Sequence, residues 1–125
     1  MTSDYFHRVL HGFVYAWNGI RDLWNQEKNT RVHFFFTVAV IICGFIFRVS
    51  TTEWSFLIIA IGCVWSAEAM NSALERNVDL VTAEKKKLAE EAKDLAAGAV
   101  LIFAVMSAVI GLIIFLPKII SVFQF

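Results

Sequence analysis

The sequence predicts an all-α membrane protein: an N-terminal amphipathic surface helix followed by three transmembrane helices. Two observations carry that prediction. Of 125 residues, 58% are hydrophobic, above the ~45–50% usual for soluble domains, and a chain this short buries only about two-thirds of its surface. The apolar residues also gather into three runs, 32–47, 54–67 and 95–116, instead of scattering. The charges cancel, with 11 Lys+Arg against 11 Asp+Glu, which argues against a nucleic-acid module. The hydropathy excludes a disordered tail. Cys43 and Cys63 lie inside apolar runs, so neither a disulfide framework nor a zinc site is signalled. One integral-membrane domain, 1–125, is the natural count.

The surface helix is read over about 5–26. Phe6, Val9, Leu10, Phe13, Trp17, Ile20 and Trp24 recur at three- and four-residue steps, with Arg8, Tyr15, Asp22 and Asn25 elsewhere. An aromatic-anchored amphipathic helix of this kind suits the membrane surface. The spans are read as about 32–48, 54–80 and 94–117. The third run has 22 residues without a charge, ~33 Å of helix and enough to cross a ~30 Å hydrocarbon core. The second becomes long enough only if its helix continues through Glu68 toward Asp79. Pro117 and Lys118 are expected to close the third span, and Glu84–Glu91 to form a solvated loop. Trp54 reads as an interface anchor and Trp65 as core. Nothing in the first residues reads as a cleaved signal peptide.

Charge sets the orientation. Residues 1–31 and 75–94 carry nine Lys/Arg, whereas the 48–53 turn and the C-terminal end carry Arg48 and Lys118. The positive-inside rule places the N-terminus in the cytoplasm and the C-terminus outside, for a multi-pass protein of a bacterial inner membrane.

The informative stretch is AEAMNSALERNVDL, Ala67 to Leu80. Carboxylates at bilayer depth mark function by default. At ~100° per residue, Glu68, Asn71, Ser72, Glu75 and Asp79 share one face. With Trp54 at the outer interface, Glu68 lies ~21 Å and Glu75 ~32 Å along the helix, at the inner boundary. Lys93-Asp94 and Glu27 project into the same layer. Acids with a lysine at a lipid–water boundary suit divalent metal binding and phosphoryl transfer. There is no GxxxxGK[ST] loop. His7, His11 and His33 lack metal-ligand spacing and read as interfacial polar residues. Two function classes survive: an enzyme acting on a lipid hydroxyl, and a small multidrug-type transporter using a buried Glu. The gathering of charge at one face favours the enzyme.

EAMNSALERNVDL followed by AKDLAAGAV resembles the signature of the prokaryotic diacylglycerol kinase family. The resemblance runs from Arg8 to Lys118. Glu27, Lys28, Asn29 and His33, with the tail GLIIFLPK, are similar to the Gram-positive-type branch, whose members act as undecaprenol kinases. The resemblance implies a homotrimer with active sites at the membrane–cytoplasm interface, ATP as co-substrate and Mg2+ as cofactor. It implies a polyprenol or diacylglycerol as lipid substrate. Position by position, it implies Glu68 as general base, Glu27 and Glu75 as metal-binding carboxylates, and Asn71 as a polar neighbour of the base. Arg8, Tyr15, Glu27, Glu75, Glu84, Lys86, Lys93 and Asp94 are the expected ATP-binding positions, with Asp79 a supporting polar residue. Where members commonly read Glu-Tyr-His, this chain has Glu84 followed by Lys85, Lys86 and Lys87, and a lysine there can meet a phosphate as a point charge.

Overall fold

The computed structural model describes the backbone of residues 2–26 and 28–123, and the side-chain surroundings of 6–25 and 29–123. Four helices follow in order: α1 (Thr2–Gln26), α2 (Lys28–Ile46), α3 (Thr51–Val81) and α4 (Lys87–Phe123). No strand occurs among the described residues. α2, α3 and α4 are long and apolar enough to cross a membrane. α3 and α4 pack against each other along their length as an antiparallel pair, while α1 and α2 make lighter contacts.

α1 presents Phe6, Phe13, Trp17 and Ile20 outward, as an interfacial helix would. It is pinned at its C-terminal end. Leu23 and Thr30 are buried, Thr30 Oγ1 donates to the Leu23 carbonyl at 3.3 Å, and the Trp24 ring meets Phe34 edge-on at 4.9 Å.

The α2–α3 turn is tight and fully bonded. The Arg48 N–H donates to the Phe45 carbonyl and the Val49 N–H to the Gly44 carbonyl, the paired bonds of a Schellman ending. Arg48 holds the left-handed position, φ 49°, where glycine is the usual residue. Ser50 then caps α3: its hydroxyl accepts from the Glu53 N–H at 3.3 Å while Glu53 accepts from the Ser50 N–H at 2.6 Å, a reciprocal capping box. Trp54 does more than mark an interface. Its half-buried indole lies on Gly44, where even a methyl group would collide with the ring. Beside it, Val49, Leu57 and Ile114 form the buried cluster at this end of the bundle.

Two expectations fail. Pro117 does not end the last helix, which continues to Phe123 with the proline inside it. Proline removes one backbone bond. In apolar surroundings, however, staying helical is the way for the following N–H groups to find acceptors. Lys118 reaches Glu53 of α3 at 3.1 Å, tying the two helices together here. The second failure concerns Glu84–Glu91. Only 82–86 are non-helical, and α4 starts at Lys87, whose ammonium lies 3.7 Å from Glu91 one turn on. Leu88, Ala89, Glu90 and Glu91 are strong helix formers, so the segment stays exposed yet helical.

The turn yields a test. A non-glycine residue in the left-handed region costs about 1–2 kcal/mol. Arg48→Gly is therefore expected to stabilise the protein by about 1 kcal/mol after the extra freedom glycine gives the unfolded chain, measured as a raised midpoint of thermal unfolding in detergent.

Candidate active site

The helical period of α3 sorts its polar residues by depth. Glu68 and Ser72 are buried, at 2% and 4% exposure. Asn71 and Glu75 are half-buried, and Asp79 is exposed at the end of the stripe. Met70, one step off the face, is 72% exposed. The stripe thus points into the bundle at Glu68 and emerges from it at Asp79.

Three contacts organise it. The Glu68 Oε2 lies 3.8 Å from His33 Nε2 of α2. Asn71 Nδ2 donates to Glu75 Oε1 at 3.1 Å. Lys93 Nζ of α4 donates to Asp79 Oδ1 at 2.6 Å. The Asn71 Oδ1 and the Ser72 hydroxyl are buried without a hydrogen-bond partner among the described residues, which is uncommon for polar atoms out of contact with water.

A cavity of about 280 Å³ opens beside Glu68, lined also by Asn29, His33, Asn71 and, from α4, Ala97, Val100 and Leu101. Alanine at 97 leaves the space that a larger side chain would fill. Val32, His33 and Ala104 also line an adjoining crevice of about 310 Å³, which continues among α2, α3 and α4 past Thr37 and Trp65. That crevice is crossed by a hydrogen bond from Trp65 Nε1 to Thr37 Oγ1 at 3.0 Å. On the other flank of the α3–α4 pair runs a groove of about 790 Å³ with Gly62, Ser66, Ala67, Ala73, Ala96 and Ala99 in its walls.

The structure therefore brings Glu68, Asn71 and Glu75 onto one line and secures Lys93 through Asp79. Arg8 and Tyr15 stand on the exposed surface of α1, with the Tyr15 ring 6.2 Å from that of His11. Glu84 and Lys86 lie in the exposed link before α4, 3.5 Å apart, and Asp94 is exposed next to Lys93. Glu27 lies outside the described residues. Sequence reasoning missed His33 as a neighbour of Glu68. The available signal was the four-residue recurrence of Asn29, His33 and Thr37, a polar line along an otherwise apolar helix.

Among the described residues no three His, Cys, Asp or Glu side chains converge on one point. Mg2+ does not require them, since it is usually held by one or two carboxylates together with substrate phosphates and water. The half-buried Glu75, oriented by Asn71, is a hard oxygen donor of the right kind. Chemically, the arrangement offers a buried carboxylate reachable from an apolar crevice, with a metal-competent carboxylate and an anchored lysine farther along the same face.

Comparison with known proteins identifies the family. The family described as prokaryotic diacylglycerol kinase matches residues 14–115. An undecaprenol kinase of Bacillus subtilis (strain 168) is 46% identical over 112 residues, covering 90% of this chain and 91% of that protein. A diacylglycerol kinase of Synechocystis is 35% identical over 114 residues, 90% of this chain and 65% of that protein. The diacylglycerol kinase of Escherichia coli (strain K12) is 32% identical over 105 residues, 84% of this chain and 85% of that protein. With its three span-length helices and its acidic stripe, the chain belongs to the prokaryotic diacylglycerol kinase family.

Proposed function

We propose that this protein is a lipid kinase that transfers the γ-phosphoryl group of ATP to the hydroxyl of a membrane lipid alcohol, undecaprenol in preference to diacylglycerol. The observation that carries the reading is Glu68: a carboxylate at 2% exposure that nonetheless lines a cavity joined to an apolar crevice. A small transporter would need no such polar stripe leading out to an anchored lysine. The family match also favours the kinase. Undecaprenol is preferred because the Bacillus relative that bears that name covers nearly all of the chain.

In this reading the lipid hydroxyl enters the cavity from the crevice while ATP docks from the cytoplasm. Glu68 accepts the hydroxyl proton as the oxygen attacks the γ-phosphorus, and ADP departs with the electrons of the broken P–O bond. A strong base is not needed, because phosphoryl transfer through a loose transition state depends mainly on positioning and charge neutralisation. Glu75, held by Asn71, and Glu27 are the residues that would hold Mg2+, which when bound neutralises charge on the phosphate oxygens. Lys93, fixed by Asp79, supplies a cation to the phosphates. Arg8, Tyr15, Glu84, Lys86 and Asp94 complete the nucleotide site, with Lys86 acting as a point charge.

The assembly is a homotrimer in an inner membrane, with the N-terminus cytoplasmic and the C-terminus outside. The small-residue groove on the α3–α4 flank supports helix docking from a second copy, since small residues let membrane helices approach closely. The excess of Lys/Arg on the Asp79 side supports the orientation.

Three outcomes are expected. Purified protein given ATP and equal amounts of undecaprenol and diacylglycerol should phosphorylate undecaprenol faster, and equal or reversed rates would overturn the substrate assignment. Glu68→Gln should reduce turnover by about 10²–10⁴-fold, the usual range for a lost acid–base group, with oligomer and thermal midpoint retained. Glu75→Gln and Glu27→Gln should each shift the magnesium dependence of the rate to higher concentration, read by titrating Mg2+ at saturating ATP.

A further inference from the structure

We infer that the crevice leading to Glu68 is built to take a hydrocarbon chain and to reject ester groups, and that the hydrogen bond from Trp65 to Thr37 is the device that does so. The inference deepens the lipid-kinase reading and rests on it. The occupant is the first stretch of a polyprenyl chain, and the excluded competitor is diacylglycerol.

Position is the first ground. Trp65 precedes Glu68 by three residues on α3, and Thr37 follows His33 by four on α2. Their bond therefore lies about one turn, ~5 Å, farther into the bilayer than the carboxylate. A lipid whose hydroxyl reaches Glu68 from the crevice has its next atoms at this level. Val32, His33 and Ala104 line both the cavity and the crevice, so the space is continuous from one to the other. Along α4 its wall runs from Ala97 to Gly111, ~21 Å of helix, with Ala104, Ala108 and Gly111 leaving room beside it.

Hydrogen bonding is the second ground. Among the described residues lining the crevice, the side chains that can donate are His33, Thr37, Trp65 and Ser107. Trp65 Nε1 donates to Thr37 Oγ1 at 3.0 Å, Thr37 Oγ1 to the His33 carbonyl at 2.8 Å, and Ser107 Oγ to the Ala60 carbonyl at 3.2 Å. His33 belongs to the cavity end, with its Nε2 3.8 Å from Glu68. The backbone N–H groups are engaged within continuous helices. At the level of Trp65 the protein thus spends its donors on itself. A polyprenol carries no polar atom behind its hydroxyl and loses nothing there. Diacylglycerol carries ester carbonyls close behind its hydroxyl, and each would give up its interfacial water without finding a partner, a cost that falls on the ester lipid alone. Selection of this kind works by leaving the competitor's polar groups unpaired instead of gripping the preferred chain more tightly.

The test gives the full-length protein ATP and, separately, undecaprenol, diacylglycerol and a dialkylglycerol that has ether links in place of the esters, and reads kcat/KM for each. Wild type should use the dialkylglycerol at least about 10-fold better than diacylglycerol, the factor expected of unpaired carbonyls. Thr37→Val leaves the Trp65 N–H without its acceptor, facing the crevice. It should raise diacylglycerol relative to undecaprenol about 10-fold while the dialkylglycerol ratio stays within about twofold. Adding Trp65→Phe to Thr37→Val removes the freed donor and should return the diacylglycerol ratio to its wild-type value. A bond that only tied α2 to α3 would give no such reversal, since the second change could only loosen the contact further. Thr37→Ala carries the same expectation if Thr37→Val unfolds, and the wild-type comparison needs no variant. Equal use of dialkylglycerol and diacylglycerol by the wild type, an unaltered ratio in the Thr37 variants, or a double variant as permissive as the single would each overturn the inference and leave the kinase reading standing. Phosphorylation of no lipid alcohol by the wild type would overturn the kinase reading itself, and this inference with it.

Discussion

Glu68 places a carboxylate at 2% exposure against α4 side chains that are alanine, valine and leucine at that depth, and a buried ion costs several kcal/mol unless something compensates it. The surrounding structure answers that cost in graded fashion. An imidazole stands opposite on α2, amides stand at Asn29 and Asn71, and small α4 residues leave an adjacent cavity instead of sealing the group in hydrocarbon. The rest of α3 follows from the same constraint. Because the helix period carries the polar face outward through Asn71 and Glu75 to Asp79, the buried charge connects with the aqueous edge instead of being stranded.

Under the proposed function, this arrangement lets one site serve two solvents. A lipid alcohol presents a single polar atom at the end of an apolar tail, while a nucleotide is charged throughout. The crevice past Thr37 and Trp65 is mostly apolar, whereas Glu84, Lys86 and Asp94 are exposed and Lys93, next to Asp94, is half-buried. Glu68 and Glu75 lie between those environments, two turns apart on one helix.

Much of this was legible in the chain. The runs at 54–67 and 95–116, the stripe from Glu68 to Asp79 and the amphipathic period of α1 each follow from spacing alone. What escaped has a common physical character: it depends on pairs of residues far apart in sequence or on what surrounds a residue. His33 looked like one more interfacial histidine because its partner lies on another helix. Trp54 looked like an anchor because the gap at Gly44 exists only once α2 and α3 turn against each other. Pro117 looked like a stop because the lack of other partners for the following backbone is a property of the surroundings, not of proline. Arg48 in a left-handed conformation has no local signature, since the usual sign is a glycine.

The two ends of the α3–α4 hairpin carry matching pairs, Glu53 with Lys118 at one end and Asp79 with Lys93 at the other. In each, the acid belongs to α3 and the base to α4, so sliding one helix along its neighbour would break both at once. The pair behaves as a beam riveted at either extremity. A bilayer thinner than its length is accommodated by leaning the whole beam, and the spacing along the beam between the buried glutamate and the anchored lysine stays constant when lipid composition changes.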